Sequence, residues 1–332
     1  MDSGKTHHHH PQMYYYTYGP HAPALRVSPG DTLVTTTVDA LNIDETGREI
    51  PRQCRQTSPD TSFKEFNPLT GPYYVEGTEP GDVLVVHIRQ ILLTRDFVNG
   101  GAAFDGGGLA WGISAGLSLG PRTPTPESKA YSWRIDRDQG FGNLELPDSR
   151  VGRVKIPLQP HFGCIGVAPA WGQFISSITP AQNGGNMDCV ETAAGTTVYL
   201  PVFVRGAYLF VGDVHAAQGD GELCGGGLDI TAEVTLELDR IPAKRIEWPR
   251  MENEEWLMVA ASARPLMDAF RLGQVELIRW LEQDYGYDPL DALHLITQVE
   301  TTRVGNVVDP QFTVVAKFPK RYLPEGESPS HP

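Results

Sequence analysis

Cysteine is scarce in this 332-residue sequence, positive charge is nowhere concentrated, and long apolar runs are missing. The four cysteines, Cys54, Cys164, Cys189 and Cys224, form no C-x-x-C pair and show no disulfide-framework spacing. Reduced thiols in a cytoplasmic protein are the expectation. No stretch reaches the roughly 18 uninterrupted apolar residues of a membrane span, so no membrane partner is expected. The N-terminus lacks the apolar core of a signal peptide. Lys and Arg number 27 against 41 Asp and Glu, for a net charge of −14. A nucleic-acid partner needs a basic stripe to displace counterions from phosphates, and none is present. Also missing are the H-E-x-x-H zinc motif and the phosphate-binding P-loop.

What is abundant is turn chemistry, with 35 Gly and 27 Pro. Both interrupt helices and favour short strands joined by tight turns. Ser28-Pro29-Gly30-Asp31 and Glu79-Pro80-Gly81-Asp82 each precede an apolar or β-branched run. A weaker third copy is Ala194-Gly195-Thr196-Thr197. Repeated turn-then-strand units predict a sandwich or barrel built by duplication. Ile230, Ala232, Val234, Leu236 and Leu238 alternate with Thr231, Glu233, Thr235 and Glu237, the pattern of a half-buried antiparallel strand. The fold class expected is therefore mainly β: a β-sandwich-like body with internal duplication and a C-terminal α+β appendage.

Four regions follow from this pattern. Residues 1–24 read as an N-terminal arm, with the histidine run at 7–10 set aside from site reasoning. Residues 25–250 form the β-rich body. Residues 251–320 form the appendage, with helices expected over 254–270 and 274–285 and a third one capped by Asp288-Pro289. Residues 321–332 read as a frayed tail. The glycine- and proline-rich stretch 100–150 is expected to be irregular and to cover the site.

Chemistry-bearing residues gather in two glycine-rich segments. Asn183-Gly184-Gly185-Asn186-Met187-Asp188 offers amides, a carboxylate and backbone N–H groups able to hold an oxyanion. Gly212-Asp213-Val214-His215-Ala216-Ala217-Gln218-Gly219-Asp220-Gly221-Glu222 follows an apolar strand. On a strand Asp213 and His215 share a face, so both reach one ion. Imidazole with carboxylate suits a divalent metal, zinc above all. Glu222 is the candidate general base, taking a proton from water and passing it to a leaving amine. The plainer alternative for these segments is a solvated turn, and Asp220, between two glycines, reads that way. Asp39, at the end of the strand that starts at Asp31, is either a third metal ligand or a strand-end cap. His161 and Trp171 are each candidates to line a pocket, but a lone histidine more often reads as a satisfied structural group than as a ligand.

Several long stretches, in the same order, resemble the acetamidase/formamidase family of amide hydrolases. They are the Asn67-Pro68-Leu69-Thr70-Gly71-Pro72 segment running on to Asp82, Gly163-Cys164-Ile165-Gly166 to Pro169, the two segments above, and the tail from Ile278 to Pro310. The resemblance runs over residues 25–320. It implies hydrolysis of a small amide to a carboxylate and ammonia, a divalent metal and a homo-oligomer. Carried over residue by residue, it implies metal or catalytic roles for Asp213, His215 and Glu222. It implies substrate-side roles for Asn183, Asn186 and Asp188, with Asp39 a weaker transfer as metal ligand. Two rivals remain. One is a non-catalytic β-sandwich binding protein with a structural calcium site. The other is a metal-independent cysteine amidase, with Cys224 as its candidate nucleophile.

Overall fold

The computed structural model describes residues 4–56, 65–102 and 128–324. A nine-stranded sheet runs, in spatial order, Thr6–His9, Thr32–Thr37, Ala232–Ile241, Val83–Leu93, Thr197–Pro201, Arg250–Glu252, Trp256–Ala263, Phe312–Pro319 and Thr301–Val304. An eight-stranded sheet faces it, with Gly184–Asn186, His161–Gly166, Leu209–His215 and Leu69–Val75 side by side. The two inner faces share one core. Leu33, Leu84, Val86, Leu236 and Leu238 come from the first sheet, and Tyr73, Phe162, Ile165, Leu209 and Val214 from the second. Each such side chain contributes roughly 1.5–3 kcal/mol when fully buried. This is the expected sandwich.

The duplicated turns explain how its strands are launched. In Ser28-Pro29-Gly30-Asp31 the Asp31 N–H donates to Ser28 O at 3.0 Å, and in Glu79-Pro80-Gly81-Asp82 the Asp82 N–H donates to Glu79 O at 3.0 Å. Gly30 and Gly81 have φ of 87° and 94°, the third-position conformation that a type II turn demands. Each aspartate also accepts from the backbone N–H of the first turn residue, Ser28 at 2.8 Å and Glu79 at 3.0 Å. Both turns feed the nine-stranded sheet, on either side of Ala232–Ile241. There Ala232, Val234, Leu236 and Leu238 point into the core, as their alternation predicts.

The C-terminal α+β part adds its strands to the same large sheet. Helix Leu266–Tyr285 and helix Pro289–Val299 cover that sheet's other face, where Leu277, Trp280, Leu281, Ala292 and Ile296 pack on Val85, Tyr199, Val259 and Phe318. Gly286, at φ 68°, ends the first helix, and Asp288 caps the second by accepting from Leu290 N–H at 2.9 Å. The helix expected over 254–270 is a correction: Trp256–Ala263 is a strand, buried on both faces. Its apolar run has no helical polar face, and periodicity alone does not separate a buried strand from a buried helix.

Two further readings change. The N-terminal lead-in is built into the body. Thr6–His9 pairs in parallel with Thr32–Thr37, His7 Nε2 lies 2.8 Å from Asp31 Oδ2, and Tyr14, Tyr15, Tyr16 and Tyr18 are buried. Residues 129–157 are ordered strands: Lys129–Asp136, Phe141–Leu146 and Gly152–Pro157 form a four-stranded antiparallel sheet with Phe97–Ala102. Residues 103–127 of the stretch expected to be irregular, and most of the frayed tail, lie outside the described residues. Among the described residues, no helix is long and apolar enough to cross a membrane.

Candidate metal and catalytic centre

Strand Leu209–His215 is the spine of the site, and every residue in it is buried. Its neighbour His161–Gly166 runs antiparallel, with His161 opposite His215, Phe162 opposite Val214 and Cys164 opposite Gly212. That register sets Gly163 beside Asp213. A Cβ at Gly163 would lie 2.5 Å from Asp213 Oδ2 and 2.8 Å from Asp188 Oδ1, so only glycine leaves room for both acids. On the far side, short strand Asp229–Ile230 pairs His215 with Asp229. A Cβ at Gly227 would meet His215 Nδ1 at 2.6 Å.

The acids themselves sit in unusual backbone. Asp188, Asp213 and Glu222 have φ of 49°, 50° and 51°. The left-handed conformation costs an L-residue roughly 1–2 kcal/mol, relieved in aspartate only where its short side chain bonds locally. Neither aspartate makes such a bond and Glu222 is too long for one, so all three positions are imposed by the surrounding fold, a pattern that concentrates at functional sites.

The side chains converge. His215 Nε2 lies 3.3 Å from Asp213 Oδ1 and 3.4 Å from Asp229 Oδ1. Ligand atoms of Asp188, His215 and Glu222 lie within 4.8 Å of one another, as do those of Asp213, His215 and Asp229. Both oxygens of Asp188, Oδ1 of Asp213 and Oδ1 of Asp229 are buried without a hydrogen-bond partner among the described residues. Bare buried carboxylate oxygens are costly unless a cation or a proton satisfies them. One imidazole and several carboxylates are also a donor set that fits a divalent ion. The residues present therefore fit a metal.

The opposite oxygen of Asp213 is held by an amide chain. Asn67 Nδ2 donates to Asp213 Oδ2 at 2.8 Å and to Asn186 Oδ1 at 3.0 Å, and Asn186 Nδ2 donates to Asp309 Oδ2 at 2.8 Å. Asp309 is a fifth acid of the cluster. Burial, then the neighbouring Glu222 and Asp309 carboxyls, pushes Asp188 well above the ordinary carboxylate range. Burial does the same to Glu222 and lifts Asp229 and Asp309 to about 7. For His215, burial opposes charge, but Asp213 and Asp229 outweigh it and hold the ring's pKa well above its ordinary value. His161 is driven down to about 4 by burial and by His215, so it is neutral.

Of the residues singled out from sequence, Asp213, His215, Glu222 and Asp188 come together. Asp39 does not join them, which is a correction. Its Oδ1 accepts from the N–H groups of Leu41 and Ile43, and its Oδ2 takes a 2.7 Å ion pair with buried Arg95. It is the strand-end cap. Asn186 has both ends of its amide engaged with Asn67 and Asp309, so it orients acids. Asn183 donates to Val167 O at 2.8 Å and makes no side-chain hydrogen bond to the cluster. Gly184 N–H is given to Ala181 O and is not free for an oxyanion. Sequence reasoning gave no site role to Asp229, Asp309, Asn67, Gln218 or Gly163, although all but Asp229 lie in the stretches that carry the family resemblance. Asp229 heads the alternating strand whose polar face was already legible, and that was its one local signal.

Comparison with known proteins agrees in sequence and in shape. The profile of the Acetamidase/Formamidase family matches residues 1–176 and 172–322. An acetamidase of Mycolicibacterium smegmatis is 27% identical over 231 residues, 55% of this chain and 55% of that protein. The chain spans little more than half the length of the curated relatives it matches. The crystal structure of an acetamidase from Yersinia enterocolitica superposes with a TM-score of 0.79 at 34% identity, covering 97% of this chain and 94% of that one. One from Bacillus halodurans gives a TM-score of 0.77 at 28% identity, covering 95% and 98%. With the family profile met over most of its length, this chain belongs to the acetamidase/formamidase family.

Proposed function

We propose that the protein hydrolyses a small linear amide, of the formamide or acetamide type, to a carboxylate and ammonia. Family membership supports the reaction class, and the convergence of His215 Nε2 on two unpartnered carboxylate oxygens carries the reading of the centre. Asp213, His215 and Asp229 would hold a divalent ion, with zinc favoured by the imidazole. When bound, such an ion supplies Lewis acidity, lowering the pKa of water and polarising a carbonyl. Glu222 takes the proton from water as the water oxygen adds to the amide carbon. It then returns the proton to the amide nitrogen as the C–N bond breaks, so that ammonia leaves and a carboxylic acid remains, which gives its own proton to ammonia or solvent and becomes the carboxylate. Burial raises the Glu222 pKa, which favours holding the proton once it is taken and so suits the returning half of this exchange. Cytoplasmic residence and a homo-oligomer belong to the same reading.

Of the rivals, the cysteine amidase is disfavoured by the thiols themselves. Burial pushes Cys164 far above its ordinary pKa and raises exposed Cys224 as well, so neither is a thiolate at neutral pH. The deciding experiment is ammonia release from formamide, acetamide, longer amides and a γ-lactam, before chelation, after it, and after zinc is returned. Loss and recovery of turnover are expected. Turnover indifferent to a verified loss of metal would overturn the metal reading, and no release from any amide would overturn the substrate class. Glu222→Gln, with metal retained, is expected to lower kcat by roughly 10²–10⁴-fold.

A further inference from the structure

Gln218 is neutral, partly buried and outside the set of charged groups, yet its single amide touches four parts of the centre. Its Nε2 donates to Asp188 O at 2.8 Å and to Gly305 O at 3.0 Å. Those two carbonyls fix the amide's orientation, because a flipped amide would set Oε1 against both. Oε1 therefore faces His215 Nδ1, at 2.7 Å; His161 Nε2 lies 3.3 Å away, but the one hydrogen of that neutral ring is on Nδ1, donated to Gln159 O at 2.7 Å, so His215 is the donor to Oε1. An amide oxygen only accepts, so His215 Nδ1 carries the hydrogen. In the neutral ring the lone pair is then on Nε2, the atom that faces Asp213 Oδ1 and Asp229 Oδ1.

From this geometry we infer that Gln218 is the positioning residue of the centre, fixing the tautomer and the angle of His215 and thereby setting the affinity for the divalent ion. The inference rests on the metal reading given above. A neutral amide suits the place better than a carboxylate. It orients the ring without adding a further negative charge to a pocket that already gathers Asp188, Asp213, Glu222, Asp229 and Asp309. The backbone at Gly227 closes over the same edge of the ring, so amide and main chain together leave His215 one orientation. Hydrogen-bond partners of metal-bound histidines typically change affinity 10–100-fold when removed.

The test uses the full-length protein, with Zn²⁺ affinity read by competition against a chelator. The Nδ1–H proton resonance of zinc-bound His215 is read by NMR. Gln218→Leu removes both the acceptor and the two donors. Gln218→Glu keeps an acceptor for His215 and loses the donors to Asp188 O and Gly305 O. Gln218→Leu is expected to weaken zinc binding 10–100-fold and to abolish the slowly exchanging Nδ1–H resonance. Gln218→Glu is expected to keep the resonance, because the Nδ1–H still meets an oxygen, and to lose clearly less affinity than the leucine variant, although its second oxygen faces the two carbonyls that Nε2 had bonded. Unchanged affinity in a folded Gln218→Leu overturns the inference. So does a Gln218→Glu that loses as much affinity as the leucine variant, since Gln218 would then act only by tying loops together. Should Gln218→Leu not fold, the glutamate variant decides alone: retained resonance and affinity support the role, and their loss overturns it. A parent protein that binds no stoichiometric zinc would instead sink the metal reading itself.

Discussion

Replacing Gly163 by alanine adds one methyl group at the point where the two acid-bearing loops meet. The added carbon would lie 2.5 Å from Asp213 Oδ2, 2.8 Å from Asp188 Oδ1 and 2.9 Å from Asp213 O. Ordinary carbon–oxygen contacts begin about half an ångström or more beyond these distances, so something must move. Little is free to do so. Asp213 Oδ2 is held by Asn67 at 2.8 Å, and Asp188 N–H is tied to Gly163 O at 3.2 Å. The strand ladder on both sides of Gly163 fixes the main chain. Overpacking of this kind costs about 1–3 kcal/mol of stability. Displacing a catalytic group by an ångström costs on the order of 10²-fold in rate, equivalent to about 2.7 kcal/mol at the transition state. The prediction is a protein that folds with a lowered thermal midpoint, has weakened zinc retention and loses about two orders of magnitude in kcat/KM. Ammonia release, a metal-competition titration and a melting curve read the three effects. Alanine at this position with parental turnover and parental zinc affinity would refute the placement of both acids.

Other expectations follow from the same geometry. Asp39→Asn strands the buried guanidinium of Arg95, and breaking a buried ion pair from one side typically costs about 3–5 kcal/mol. Metal content should stay at the parental value, and a loss of the ion in a still-folded variant would return Asp39 to the ligand set. In the chelated protein, Asp229 and Asp309 titrate at about 7, against an ordinary carboxyl value of 3.8. Between those limits the folded state keeps protons that the unfolded chain has released, so stability falls as pH rises from 4 to 7. His161, lowered to about 4 from 6.5, acts in the opposite sense, as do His9, His21 and His87, while the burial-raised carboxyls of Asp39, Asp188, Glu222 and Glu276 add to the fall. The melting temperature of the metal-free protein should therefore drop between pH 5 and pH 8, and a rise would contradict the burial of these acids.

The body of the sandwich was readable because each of its devices is local. A Pro-Gly-Asp turn, an alternating strand and a capped helix each declare themselves within ten residues. The two glycine-rich segments were readable for the same reason, and they carry Asp188, Asp213, His215 and Glu222. What stayed hidden depends on distant pairing. Asp309 is tied to the site through Asn186, and Asn67 through Asp213 across 146 residues; both lie in stretches that carry the family resemblance, but no local pattern shows that either reaches the acids. Asp39 misled because a carboxylate at a strand end looks the same whether it holds an ion or an arginine. Only the burial of Arg95 decides. Trp256–Ala263 misled because a fully buried strand has no polar face to reveal its period.

The amide chain that runs Asp213, Asn67, Asn186, Asp309 also bears on how the protein is made. Its links join residues separated by 146, 119 and 123 positions. Closing loops of that length must precede any gain from the contacts they permit, so this network forms late in folding. A ribosome adding roughly 5–20 residues per second has to deliver residue 309 before the acids are fully oriented. On the metal reading, the proposed ligands are all present by residue 229 but are held by this chain only once residue 309 is delivered, so full-affinity zinc uptake during translation would report completed assembly.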